Sequence, residues 1–136
     1  MPRSQGPRLT REKIIAAAVT IAARAQPDGL TGSNVGKELG VDRSSLWRHF
    51  ADHQELLLAV GDRLLHMAVD QVPDSLPPPE RVRSLAKRMV DVFVAHPYVA
   101  AQTSNRITGG PGELAAIELI LASLEEVGLR DEALPR

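Results

Sequence analysis

The sequence predicts an all-α fold, and three observations carry that prediction. Of 136 residues 43% are hydrophobic and only 3% aromatic, so the apolar mass is aliphatic, rich in alanine and leucine, a composition that favours helix. Apolar residues recur at 3.6-residue spacing, and no segment alternates apolar and polar side chains with the period of a strand. Glycine, proline and capping residues punctuate these segments. The length suits one compact core, or a small N-terminal unit packed on a helical remainder.

Residues 1–9 contain Pro, Gly and Arg and are expected to form a disordered arm. Thr10 is placed to cap a first helix over about 11–25, with Glu12 in its first turn and Ile14, Ala18, Ile21, Ala22 and Ala25 on one face. The segment "QPDG" ends it. Thr31 can cap a short second helix, "GSNVGKEL", and Gly40 permits the positive φ of a tight turn. Asp42 is positioned to cap a third, "RSSLWRHF", in which Leu46 and Phe50 are spaced i, i+4. Asp52 and Glu55 have capping-box spacing and open a long fourth helix reaching about Val72. "PDSLPPP" reads as an extended connector, and Pro79 as the first residue of a fifth helix ending near Ala95. His96-Pro97 breaks that pattern, and "YVAAQTSNR" is a short helix. "TGGPG" is a loop, and "ELAAIELILASLEEV" is the last clear helix, with Gly128 as its cap.

Several functions are disfavoured by composition. Without cysteine the chain has neither disulfides nor a Cys-based zinc site, which is compatible with a reducing cytosol. No apolar run approaches the roughly 18–20 residues that span a bilayer, and "MPRSQGPRLTR" has no apolar region typical of a signal peptide. A cytoplasmic protein without membrane contact is expected. The net charge of −1 conceals an asymmetry. Residues 1–60 hold eight Lys/Arg against six Asp/Glu, whereas residues 61–136 hold eight against eleven. A basic N-terminal part hints at a polyanionic partner, although near-balanced charge also serves solubility alone.

The second and third helices are the informative pair. Two helices this short, joined by about four residues including a glycine, form a helix-turn-helix, and they need packing on their neighbours to be stable. Val35, Leu39, Val41, Leu46 and Phe50 supply the inward face. Asn34, Lys37, Arg43, Ser44, Ser45, Trp47, Arg48 and His49 are left for solvent or a ligand.

The stretch "GLTGSNVGKELGVDRSSLWRHFADHQELLLAV" (29–60) resembles the DNA-binding domain of the tetracycline-repressor (TetR) family of bacterial transcription regulators. The matching features are Thr31 at the start of helix two, the turn Leu39-Gly40-Val41, the ending "LWRHF", and Leu56 and Leu57 beyond it. The resemblance is dense over about residues 10–60 and extends to the remainder only as helical layout. Gly36 stands where the family usually has Ala, which weakens helix two by about 1 kcal/mol while allowing close approach. His53 stands where a lysine is common, and Trp47 where a tyrosine is usual.

The resemblance implies a helix-turn-helix DNA-binding domain over 10–52 and a partial helical regulatory domain over 53–136. It implies roles for Thr31, Ser33, Arg43, Ser44, Ser45, Trp47, Arg48, His49 and His53 in DNA binding. Arg43, Ser44 and Ser45 occupy the first turn of the recognition helix, where Arg43 can reach a guanine edge or a phosphate. Trp47 is either a backbone contact through its indole N–H, a partly buried packing residue, or both. Arg48 and His49 are expected to face the backbone. Thr31 and Ser33 serve phosphate binding or capping alone.

In the family the later helices enclose a pocket for a small-molecule inducer, which places His66, Met89, Phe93, Tyr98, Gln102 and Arg106 as candidate pocket residues. Met67, His96 and Asn105 belong to the same scattered set; Met and aromatic residues at this spacing also fit ordinary core. His49 and His53 are not read as metal partners because a helix start separates them, and neither a catalytic constellation nor a cofactor motif is evident from spacing.

The implied mechanism is a homodimer on a near-palindromic double-stranded operator, released when an unknown effector shifts helix four. Family members usually carry two further helices that build the dimer interface, and this chain stops at "LRDEALPR", where the first should begin. A fragment, a different dimer, or no dimer are the expectations that follow. The alternatives are a helical ligand-binding or interaction protein without DNA binding, and a helix-turn-helix factor that no ligand regulates.

Overall fold

The Thr10 hydroxyl accepts the Lys13 N–H at 3.1 Å and starts α1 (Arg11–Ala22) as its position predicts. The computed structural model describes residues 8–24 and 29–128, and among them there are helices but no strand. The remaining elements are α2 (Gly32–Leu39), a 3-10 helix (Arg43–Arg48), α3 (His53–Asp70), α4 (Pro78–Val94), α5 (Pro97–Thr103) and α6 (Pro111–Glu126). The expected N-terminal arm up to residue 7, Ala25, the first three residues of "QPDG" and the terminal "LRDEALPR" lie outside the described residues.

α1 stops earlier than its apolar period allows, at Ala22, where the Arg24 N–H turns back to the Ile21 carbonyl. Thr31 caps α2 through the Asn34 N–H at 3.1 Å. Gly40 closes it at φ 71°, and the Val41 N–H reaches back to the Gly36 carbonyl at 2.9 Å, the six-to-one bond of a Schellman motif. Gly36 has a steric reason: a Cβ there would lie 2.8 Å from the Val41 carbonyl oxygen.

The third helix differs from expectation in two ways. It is a 3-10 helix ending at Arg48, and Asp42 makes no side-chain capping bond. The Asp42 carbonyl already takes the Ser45 N–H at 3.0 Å, as i to i+3 bonding requires, so its carboxylate has little left to cap. Asp52 does cap α3, through the Glu55 N–H at 2.9 Å. The returning bond of Glu55 goes one residue further back, to the Ala51 N–H at 3.2 Å. α3 ends at Asp70 and α4 begins one residue early, with Pro78 rather than Pro79 first. Likewise α5 starts at Pro97, and α6 at Pro111 inside the expected loop. Each proline takes a position where a missing N–H costs nothing.

One continuous core runs through these helices. Ile14, Ala18 and Ile21 of α1, Val35 of α2, Leu46 and Phe50 meet Leu56, Leu57, Val60 and Leu64 of α3, all at most 4% exposed. Leu39 and Val41, placed inside by periodicity, are half-buried at the rim. α3 is the spine, shared by the N-terminal helices and by α4, α5 and α6. Among the described residues nothing covers the outer face of α6: Leu114, Ile117, Leu121 and Leu124 follow heptad spacing and stay at least 38% exposed. Among the described residues no helix is long and apolar enough to cross a membrane.

Candidate nucleic-acid interface

The tight turn at Gly40 sets the 3-10 helix against the N-terminus of α2, and the two elements present one open face. Leu46 and Phe50 are buried, which leaves Arg43, Ser44 and Arg48 exposed. Ser45, Trp47 and His49 are half-buried. The Trp47 ring lies flat enough on the start of α2 that a Cβ on Gly32 would sit 2.9 Å from its Cζ2. Trp47 is therefore both a packing residue and part of the rim.

A shallow concavity of about 290 Å³ opens on this face. Thr31, Ser33, Arg43, Trp47 and His53 line it, joined by Tyr98 from the start of α5. Arg43 spans the gap between the two elements, its Nη1 donating to Ser33 Oγ at 3.4 Å. The Thr31 oxygen accepts the capping N–H, yet its own O–H stays free to donate, so capping and anion contact are compatible. Positive potential comes from Arg43 and from the partial charge at the N-terminus of α2. With a first-turn arginine, hydroxyl donors and an indole rim, this surface can meet a phosphate backbone and a base edge together.

Ser44 and Arg48 are exposed and His49 is half-buried, and none of the three lines the concavity. The His49 carbonyl accepts Arg11 Nη1 at 3.3 Å, and the Arg11 guanidinium stacks 4.4 Å over the Phe50 ring. The same guanidinium is 3.7 Å from Glu55. Arg11 thus ties α1 to the end of the 3-10 helix and the start of α3. Helical periodicity assigns Arg11 to solvent; a first-turn arginine whose partners lie dozens of residues away leaves no local signal.

A second, mostly apolar cavity of about 390 Å³ lies between α3, α4 and α5. Leu65, Met89, Val90 and Phe93 form its apolar wall, and Thr103, Arg106 and Thr108 its polar edge. Of the six pocket candidates, Met89, Phe93 and Arg106 come together here. His66 instead borders a cleft between α1 and α3, 3.9 Å from Asp70. Tyr98 belongs to the first concavity, and Gln102 is exposed. His96 is buried with Nδ1 2.7 Å from the Val92 carbonyl, a structural contact. Among the described residues no three His, Asp or Glu side chains cluster as a metal site.

Residues 14–60 match the model of the bacterial regulatory proteins of the tetR family. The match spans the concavity residues of α2, the 3-10 helix and the start of α3. A solved candidate transcriptional regulator of Streptomyces coelicolor A3(2) superposes with a TM-score of 0.83 at 32% identity, over 93% of this chain and 63% of that one. By this match and this superposition the chain is similar to regulators of the tetR family. The chain is also similar to the HTH-type transcriptional repressor DrrR1 of Streptomyces coeruleorubidus, 27% identical over 97% of this chain and 49% of the relative. ActR of Streptomyces coelicolor, solved in complex with actinorhodin, is 29% identical with a TM-score of 0.73, over 93% of this chain and 60% of ActR. BioQ, solved with its double-stranded DNA operator, is 26% identical with a TM-score of 0.67, over 92% of this chain and 76% of BioQ. The chain spans about half the length of the curated relatives it matches.

Proposed function

We propose that this chain is a sequence-specific, ligand-responsive DNA-binding regulator of transcription, a repressor released by a small molecule. The observation that carries the reading is the convergence of Thr31, Ser33, Arg43, Trp47 and His53 on one open concavity. The first turn of the 3-10 helix enters the major groove, where Arg43 donates to a guanine and Ser44 and Ser45 meet neighbouring edges. Thr31, Ser33, Trp47, Arg48, His49 and His53 hold the phosphate backbone and fix the register. BioQ's capture with an operator and ActR's with actinorhodin support the two halves of the reading.

The apolar cavity is the effector site, and its floor includes Gly61 and Leu65 of α3, the helix that begins at His53 beside the DNA face. A ligand that favours another placement of α3 lowers affinity for DNA. Residues 10–52 are the DNA-binding unit and 53–136 the regulatory one, in a cytoplasmic homodimer that is a regulator rather than an enzyme. The heptad row on α6 supports a helix-on-helix contact between copies.

A salt titration of binding to random duplex tests the reading. Several phosphate contacts predict log affinity falling with log salt, by roughly 0.9 per phosphate neutralised. Absence of binding at low salt, or binding indifferent to salt, would return the chain to a helical ligand-binding protein without DNA.

A further inference from the structure

A carboxylate in the buried stripe of a helix calls for a partner, and α3 carries one. Asp62 is 6% exposed and accepts three hydrogen bonds, from Thr108 Oγ1 at 2.7 Å, the Gly112 N–H at 2.8 Å and the Glu113 N–H at 2.9 Å. Two of these donors are free N–H groups in the first turn of α6, so a side chain of α3 caps α6 across 50 residues of sequence. The approach is possible only because positions 110 and 112 are glycine. A Cβ on Gly110 would lie 2.6 Å from Asp62 Oδ2, and one on Gly112 would collide with the Asp62 backbone carbonyl.

The neighbours of Asp62 extend the attachment. A Cβ on Gly61 would lie 3.0 Å from Thr103 Oγ1, so α5 packs directly on the backbone one residue earlier. One residue later, Arg63 is paired with Glu12 of α1. Residues 61–63 are therefore where α3 holds α5, α6 and α1 together. Thr108 also lines the apolar cavity, so the residue whose hydroxyl bonds Asp62 stands between that carboxylate and the space assigned to the effector. His53 and the DNA face lie nine residues back along the same rigid helix, about 14 Å away.

We infer that Asp62 is the positioning residue through which cavity occupancy reaches the DNA face, with Thr108 as the contact a ligand disturbs. The inference rests on the proposed DNA-binding function. A polar group entering the cavity competes for the Thr108 hydroxyl, weakens the attachment of α6 and its preceding loop to α3, and frees α3 to shift. By reciprocity, DNA that selects one placement of α3 tightens the Asp62 attachment.

The test uses the full chain, a duplex recovered from a random pool at low salt, and amide exchange at Gly112 and Glu113. Duplex binding is expected to slow exchange at both amides by about fivefold or more. Thr108→Val and Asp62→Asn, far from the DNA face, are expected to weaken duplex binding by a similar factor. A purely structural cap would lower stability but leave the folded protein's affinity and the duplex-induced slowing unchanged, and that pattern overturns the inference. Slowing in the parent with undiminished binding by the variants also overturns it, because reciprocity fails. If Asp62→Asn does not fold, Thr108→Val alone decides, since it removes one hydroxyl and leaves both backbone bonds. No duplex binding by the parent overturns the function itself, and the inference with it.

Discussion

The proposed DNA face and the Asp62 junction are both built from polar side chains, but these are satisfied to opposite degrees. On the face, Arg43 has one long bond to Ser33 at 3.4 Å, and Ser44 and Arg48 stand in solvent. At the junction a buried carboxylate has three bonds between 2.7 and 2.9 Å. Donors left open at a surface can be completed by a polyanion with little rearrangement. A buried carboxylate held by three donors has little capacity left for a new partner, and it acts chiefly by letting go. One region is suited to binding and the other to holding a position that binding depends upon.

The comparison requires that the open face rest on a rigid base, and the largest expected effect tests this. Phe50 is 1% exposed beneath the 3-10 helix, so Phe50→Ala is expected to cost about 3–5 kcal/mol in urea denaturation. Ser44→Ala, on the exposed side, should stay within about 0.5 kcal/mol. If the two substitutions cost the same, the segment is not held by its core and the contrast between the regions collapses.

The next effect sharpens the face itself. Arg43→Ala is expected to lose about 1–3 kcal/mol of discrimination between preferred and random duplex. Arg48→Ala should weaken all sequences alike and lower the salt slope by about 0.9. Competition binding against a sequence panel separates them. Uniform losses from both variants would make Arg43 a phosphate contact rather than a base reader.

Much of this was legible from local sequence, and what was not has a physical reason. Thr10, Thr31 and Asp52 cap as their positions predict because capping involves residues three apart. The Leu39-Gly40-Val41 turn and the burial of Leu46 and Phe50 follow from equally short-range rules. The 3-10 geometry was not legible, since six residues tip between two helix types on packing that the sequence does not display. The start of α6 at Pro111 depends on Asp62, 50 residues away from the amide it accepts. The cavity gathered Met89, Phe93 and Arg106 but not His66, Tyr98 or Gln102, because residue type marks a pocket candidate while only the crossing of α3, α4 and α5 decides which side of a helix faces it. Gly61, Asp62 and Arg63 carried one usable signal: a glycine and a carboxylate inside an apolar helical stripe require a close neighbour and a donor.

The smallest effect concerns the bracket between the two regions. Arg11 stacks on Phe50, donates to the His49 carbonyl and lies near Glu55, so it joins α1 to the end of the recognition segment. Its side chain is half exposed, so the ion pair with Glu55 contributes little and the stacking over the ring dominates. Arg11→Ala is expected to cost about 0.5–1 kcal/mol in denaturation. Arg11→Lys keeps the charge but loses the planar stack and the fixed fork, and should recover less than half of that loss. Full recovery by lysine would mean that charge alone holds the bracket. In that case raising the salt concentration should loosen the parent protein as much as the alanine variant is loosened, and a face expected to bind DNA most tightly at low salt would also be most firmly supported there.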